Sequence, residues 1–232
     1  SGPTNLQGYR NTDAGFSIIT FDSPATAPLA TVTHGLDQEP EFVITKNKEE
    51  AGNGFYVYHK STGTGQALYL HASSTGLTYP NYFAVNSTAF GSGISGAGLM
   101  YKNQVWYAWH SVEGFSKFGL FTGNGSADGP FVYTGFKPAL VLIKCSSVGN
   151  VYTHWVLNDT TRAPTNPSNT TLIADGAENE DADTSNVLDF LSNGFKLRSG
   201  GDGYNQTGAT YVYAAWAEHP FGGENAPPAT AR

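Results

Sequence analysis

Three stretches of this chain recur, in the same order, about a hundred residues downstream. Gly15-Phe16-Ser17-Ile18-Ile19-Thr20-Phe21 is answered by Gly114-Phe115-Ser116-Lys117-Phe118-Gly119-Leu120-Phe121. Pro40-Glu41-Phe42-Val43-Ile44-Thr45-Lys46 is answered by Pro138-Ala139-Leu140-Val141-Leu142-Ile143-Lys144, and Val105-Trp106-Tyr107-Ala108-Trp109 by Tyr211-Val212-Tyr213-Ala214-Ala215-Trp216. The offsets are 99, 98 and 106. Collinear matches at nearly one spacing predict a tandem duplication with drift in loop length, and two copies are too few for a solenoid. The expected fold is all-β, with two tandem, similar β-sandwich-like repeats related by pseudo-two-fold symmetry. The expected boundaries are an N-terminal linker over 1–14, repeats over 15–113 and 114–222, and a C-terminal tail over 223–232. Ser1-Gly2-Pro3 fits a cloning scar.

The composition agrees with many short strands. Charged residues are only 13% of the 232, Met occurs once, and there are 28 Gly, 13 Tyr and 14 Phe. Aromatic and β-branched residues suit pleated, half-buried surfaces, and Gly, Asn and Ser suit the turns between them. A formal net charge of −7 without a Lys/Arg cluster speaks against nucleic acid as a partner. The single cysteine, Cys145, has no internal disulfide partner and sits in the apolar run from Leu140, where it reads as a small buried hydrophobe. No apolar run is long enough to span a bilayer, and no signal peptide opens the chain, so neither membrane insertion nor ordinary export is expected.

Strand-like runs bounded by turn residues fall at Ser17–Phe21, Glu41–Lys46, Phe55–His59, Ala67–Leu70, Tyr82–Val85, Val105–His110, Lys117–Phe121, Ala139–Cys145, Thr153–Leu157, Phe195–Leu197 and Thr210–Ala217. One helical turn is expected near Thr184–Leu191, where Val187, Leu188 and Leu191 have helical spacing. Arg162–Ser168 and Asp175–Ser185 lack periodicity and read as loops of the second copy, where the first copy has Ser73–Asn81.

Local catalytic signatures are lacking: no nucleophile elbow, phosphate loop or dinucleotide fingerprint occurs, and the six histidines have no zinc spacing. A non-enzyme is therefore expected. The acidic run Asp175, Glu178, Glu180, Asp181 and Asp183 offers hard oxygen ligands for Ca²⁺. Its spacing is not that of an EF-hand, and a solvated acidic loop is the commoner meaning, so no cofactor is expected. Five Asn-x-Ser/Thr sequons, from Asn86 to Asn205, are read as accidents of composition.

The strings Glu113–Gly119, Phe121–Pro138 and Asp189–Arg198, with the ending Ala217–Gly223 and Pro228–Arg232, resemble a domain recurrent in virion structural proteins of tailed phages of marine bacteria and cyanobacteria, especially tail fibre-like proteins. The resemblance runs from about Gly15 to the C-terminus and carries no catalytic motif. It implies a place on the phage particle surface, contact with other virion subunits, and attachment to a host cell-surface glycan or protein. The isolated chain is expected to be a monomer or a weak homotrimer, and only the resemblance speaks for the trimer. A capsid-decoration or fibre-assembly module without a receptor is the first alternative, and a polysaccharide depolymerase the second.

A recognition surface is expected on loops, whose change leaves the sheets undisturbed. Tyr79, Tyr82 and Tyr204 are the candidate rings for stacking on a sugar. Asp175, Glu178 and Asp202 are the candidate acceptors for its hydroxyls, directly or through Ca²⁺.

Overall fold

Burial alternates residue by residue along Phe16–Ser23, with Ser17, Ile19, Phe21 and Ser23 buried and the residues between them half-buried. That period of two is what a pleated strand with two unequal faces produces. The computed structural model describes residues 4–23, 31–49, 54–92, 102–148, 153–177, 181–182 and 187–220. It is almost entirely β, and it divides into two compact units: Ser1–His71 with Gly76–Ser111, and Ala72–Thr75 with Val112–Arg232. The division falls at 111/112, against an expected 113/114.

Unit 1 contains β1 (Thr4–Asn11), β2 (Phe16–Ser23), β3 (Val32–Thr33), β4 (Phe42–Asn47), β5 (Phe55–His59), β6 (Gln66–Tyr69), β7 (Leu77–Thr78), β8 (Phe83–Val85), β9 (Ala89–Ser92) and β10 (Lys102–Trp109). Its strands form one sheet ordered β1-β2-β10-β4-β5-β6-β7 and a small sheet ordered β3-β9-β8. Ile19, Phe21, Val43, Tyr58, Ala67, Trp106 and Ala108 of the large sheet meet Val32, Phe83 and Phe90 of the small one in a single core. Phe90 bridges the layers, edge-on to Trp106 at 5.0 Å and near Tyr58 at 5.7 Å.

Unit 2 contains β11 (Ser116–Thr122), β12 (Phe131–Tyr133), β13 (Pro138–Cys145), β14 (Val156–Asp159), β15 (Thr170–Ile173), β16 (Asp181–Ala182), β17 (Leu188–Leu191), β18 (Gly194–Leu197) and β19 (Thr210–Ala217), with the short helix α1 (Asp202–Asn205) before the last strand. Its sheets are ordered β11-β19-β13-β14-β15-β16 and β12-β18-β17. Adding nine to the index of every strand from β2 to β10 turns the first unit's order into the second's. The registers agree as well. Trp106 lies opposite Thr45, and Thr45 opposite Tyr56; along the same path Tyr213 lies opposite Ile143, and Ile143 opposite Val156. Phe195 takes the bridging place in this core, 5.4 Å from Tyr213 and 6.2 Å from Phe121.

Two expectations are corrected. Residues 4–11 are no linker but a strand, β1, paired antiparallel to β2. All eight of its residues are exposed, so it has no buried stripe for periodicity to reveal. Leu188–Leu191 is a strand rather than a helical turn, with Leu188 and Phe190 in the core and the register set by β18. Residues 184–186 of the expected turn lie outside the described residues, as does the expected tail.

Candidate functional site

Four tyrosines and a histidine gather at one end of unit 1. β5 and β6 place Tyr56 directly opposite Tyr69, with ring centroids 5.4 Å apart and nearly perpendicular. His71 follows two residues later and lies 4.8 Å from Tyr69 and 5.6 Å from Tyr56. Its Nδ1 is 2.8 Å from the Phe55 carbonyl, and its ring covers the α-carbon of Gly54, where any side chain would collide. The chain then turns through β7 and returns with Tyr79 and Tyr82, whose rings stack at 6.3 Å and 29°. The Tyr79 amide is held by the Gly65 carbonyl, and the Phe83 amide by that of Thr64, so backbone bonds fix this return.

Depth grades the cluster. Tyr79 is 50% exposed, Tyr56 and Tyr69 are half-buried, and Tyr82 is 1% exposed. Burial, reinforced by the neighbouring phenols, pushes the pKa of Tyr82 and Tyr69 above that of a free tyrosine. These two phenols therefore stay neutral across the physiological range. The Tyr82 hydroxyl is buried and finds no hydrogen-bond partner among the described residues. A buried orphan hydroxyl costs free energy, about 1–3 kcal/mol. The cluster can offer ring faces and phenolic hydroxyls to a ligand with both apolar and hydroxyl surface.

The fold does not demand these rings. At the positions of unit 2 that match in register, Val156 stands for Tyr56 and Ile173 for Tyr69. Val187, immediately before β17, stands for Tyr82, immediately before β8. Aliphatic residues thus suffice to close the same end of a sandwich.

The residues expected to bind ligand are only partly brought together. Tyr79 and Tyr82 share the cluster, but Tyr82 is a core ring that Tyr79 covers, which corrects its reading as an exposed loop aromatic. Tyr204 is corrected likewise: α1 turns it inward, it is wholly buried, and its hydroxyl donates to Asn158 Oδ1 at 2.7 Å. Asp175 is also no surface acceptor. Its side chain is buried, Oδ1 accepts from the Trp155 amide at 2.9 Å, and Oδ2 lies 3.9 Å from Lys144 Nζ. Asp202 begins α1, and Glu178 lies outside the described residues. Tyr56, Tyr69 and His71 were not foreseen, although their alternation on two paired strands carried the signal.

Among the described residues no group of three or more His, Cys, Asp or Glu is placed to hold a metal ion, and no helix is long and apolar enough to cross a membrane. Residues 2–220 match the family described as domain of unknown function DUF7483. The chain belongs to that family. No curated protein and no solved structure matches it. The family description names no activity.

Proposed function

We propose that this chain is a surface domain of a phage virion, of tail-fibre type, that attaches the particle to a bacterial surface component, foremost a glycan. The virion placement rests on the resemblance of Glu113–Gly119 and Phe121–Pro138 to tail fibre-like proteins, and the attachment role is carried by the replacement pattern. Tyr56, Tyr69 and Tyr82 stand in unit 1 where Val156, Ile173 and Val187 serve unit 2, so three phenols occupy places that packing alone would fill with aliphatic side chains. Tyrosine clusters with small and polar neighbours suit adaptable recognition, since each ring supplies area at little entropic cost.

The two units are in this reading products of a duplication, supported by the shared strand order and registers. One copy then serves as scaffold while the other has acquired ligand contacts. The reading includes other virion subunits as partners, a monomer or homotrimer as the assembly, and no catalytic step. The experiment is adsorption: purified protein should bind susceptible cells or their isolated polysaccharide and compete with phage. Absence of binding to every susceptible host would favour a decoration or fibre-assembly role. Release of reducing ends from polysaccharide would favour a depolymerase.

A further inference from the structure

Unit 2 carries a second pair of exposed rings, on a face distant in sequence from the tyrosine cluster. β12 reads Phe131-Val132-Tyr133, with Val132 in the core. Phe131 and Tyr133 point the other way and are 45% and 64% exposed. Residues two apart on a strand share a face and lie roughly 7 Å apart, so the two rings are neighbours on one side of the small sheet.

The backbone beneath them is cleared for the purpose. Tyr133 lies opposite Gly194 on β18, so no side chain stands beside it on that strand. A methyl group at Gly194 would stand 3.0 Å from Phe131 Cε2 and collide with the Val132 carbonyl, so the Phe131 ring rests against bare backbone. Gly135 beside the Tyr133 ring has φ +89°, a backbone conformation that favours glycine.

A polar rim surrounds the rings. Lys196, opposite Phe131, donates to the Gly129 carbonyl at 2.8 Å and pairs with Asp128 at 2.9 Å. Asp189, beyond it on β17, pairs with Arg198 at 2.5 Å. The register of the small sheet places Thr31 and Thr33 of unit 1 where unit 2 has Phe131 and Tyr133, because Val32 and Val132 pair with Phe90 and Phe195 respectively. Neither ring is needed to build the sheet.

We propose that Phe131 and Tyr133 form a stacking platform for a carbohydrate chain, whose pyranose rings lay their apolar C–H faces on the two aromatics while the rim takes their hydroxyls. The occupant follows from area and charge. Two rings are far too little for a stable protein interface, which buries about 1,200 Å² or more. The rim's charges are already paired, so it suits a neutral, hydroxyl-rich ligand rather than a charged one. The inference shares the glycan reading given above, but its site is separate from the tyrosine cluster.

The test uses Phe131→Thr, Tyr133→Thr and the double variant, substitutions that import residue types unit 1 tolerates at the matching positions. Binding of soluble neutral hexose oligosaccharides to the full chain is followed by nuclear magnetic resonance titration, beside melting temperatures and adsorption to host cells. Each single change should weaken oligosaccharide binding about three- to tenfold, with melting unchanged. Undiminished binding by the double variant overturns the platform, and so does failure of the wild-type chain to bind any of the sugars. If adsorption to cells persists in either case, the attachment reading survives without it. Self-association that the double variant abolishes would assign the face to a second copy and also overturn the proposal. Platform-dependent sugar binding without cell adsorption would uphold the platform and sink the attachment reading.

Discussion

Tyr204 Oη donates a 2.7 Å hydrogen bond to Asn158 Oδ1, and both residues are fully buried in unit 2. Asn158 sits opposite Val141 as Tyr58 sits opposite Val43, so the two units fill one place in the core by different means. Unit 1 uses the Tyr58 ring, packed on Phe83 and Phe90; unit 2 uses a short side chain and a ring brought from α1. Tyr204→Phe removes the donor and leaves Asn158, whose amide nitrogen already lacks a partner, unsatisfied on both ends. Urea unfolding should show a loss of about 1–3 kcal/mol, with host-cell binding per folded molecule unchanged.

The exposed member of the tyrosine cluster should behave in the opposite way. Tyr79→Ala removes a half-exposed ring that contributes little to the core. It should lower affinity for host cells several-fold, about 1 kcal/mol, while the melting temperature moves little. Tyr82→Phe removes an orphan hydroxyl and should hold or raise stability, because nothing loses a partner. Thermal unfolding of both variants, beside cell-binding isotherms, checks the pair.

Lys144 predicts a pH dependence. Its ammonium is buried in unit 2 and donates to the carbonyls of Ala72, Ser73 and Thr153 at 3.0, 2.9 and 2.6 Å. Burial lowers its pKa from the ordinary 10.5 to about 8, against a smaller opposing pull from Asp175. Between those values the unfolded chain binds more protons than the folded one, so stability attributable to Lys144 rises with pH through that window. The cost of burying the charge is fully present below about pH 8. Measured by urea unfolding, wild type should gain roughly 1–3 kcal/mol on Lys144→Met between pH 7.5 and pH 10. A constant difference would contradict the buried-cation account.

The central strands of each large sheet were legible because their patterns are strong. Val105–Trp109 and Thr210–Ala217 join β-branched and aromatic residues in alternation and sit between two neighbours, where the hydrophobic pattern fixes the register. β1 was illegible because every side chain on it faces solvent, and only ladder bonds to β2 make it a strand. Leu188–Leu191 deceived because four residues with apolar ends satisfy helical and strand spacing equally. The misplacement of Tyr204 has another cause. A Gly-Gly-Asp-Gly run predicts a turn but not which way the next ring swings, and that is set by Asn158, forty-six residues away. Likewise Asp175 reads as the head of an acidic loop, yet the Trp155 amide and the Lys144 ammonium draw it inward.

A loop junction in unit 2 offers a further check. The Asn205 side-chain nitrogen lies 2.9–3.0 Å from Asn124 Oδ1, the Ser126 carbonyl and the Ser199 carbonyl and shares its two protons among them, and its own oxygen accepts from the Asn124 amide. Asn205→Ala removes at once the bonds that tie residues 124–126 to Ser199. It should destabilise by about 2–4 kcal/mol and raise amide exchange around residues 123–129, which hydrogen-exchange mass spectrometry would detect.

The claim that the tyrosine cluster attaches a virion to its host is tested most directly by competition. Purified wild-type chain and the Tyr56→Val, Tyr69→Ile double variant, which carries unit 2's residues at the matching positions, are each mixed with susceptible cells before phage is added. The account predicts that wild type blocks phage adsorption in a dose-dependent way, and that the folded double variant has lost most of that effect. Equal blocking by both proteins, or by neither, would contradict it.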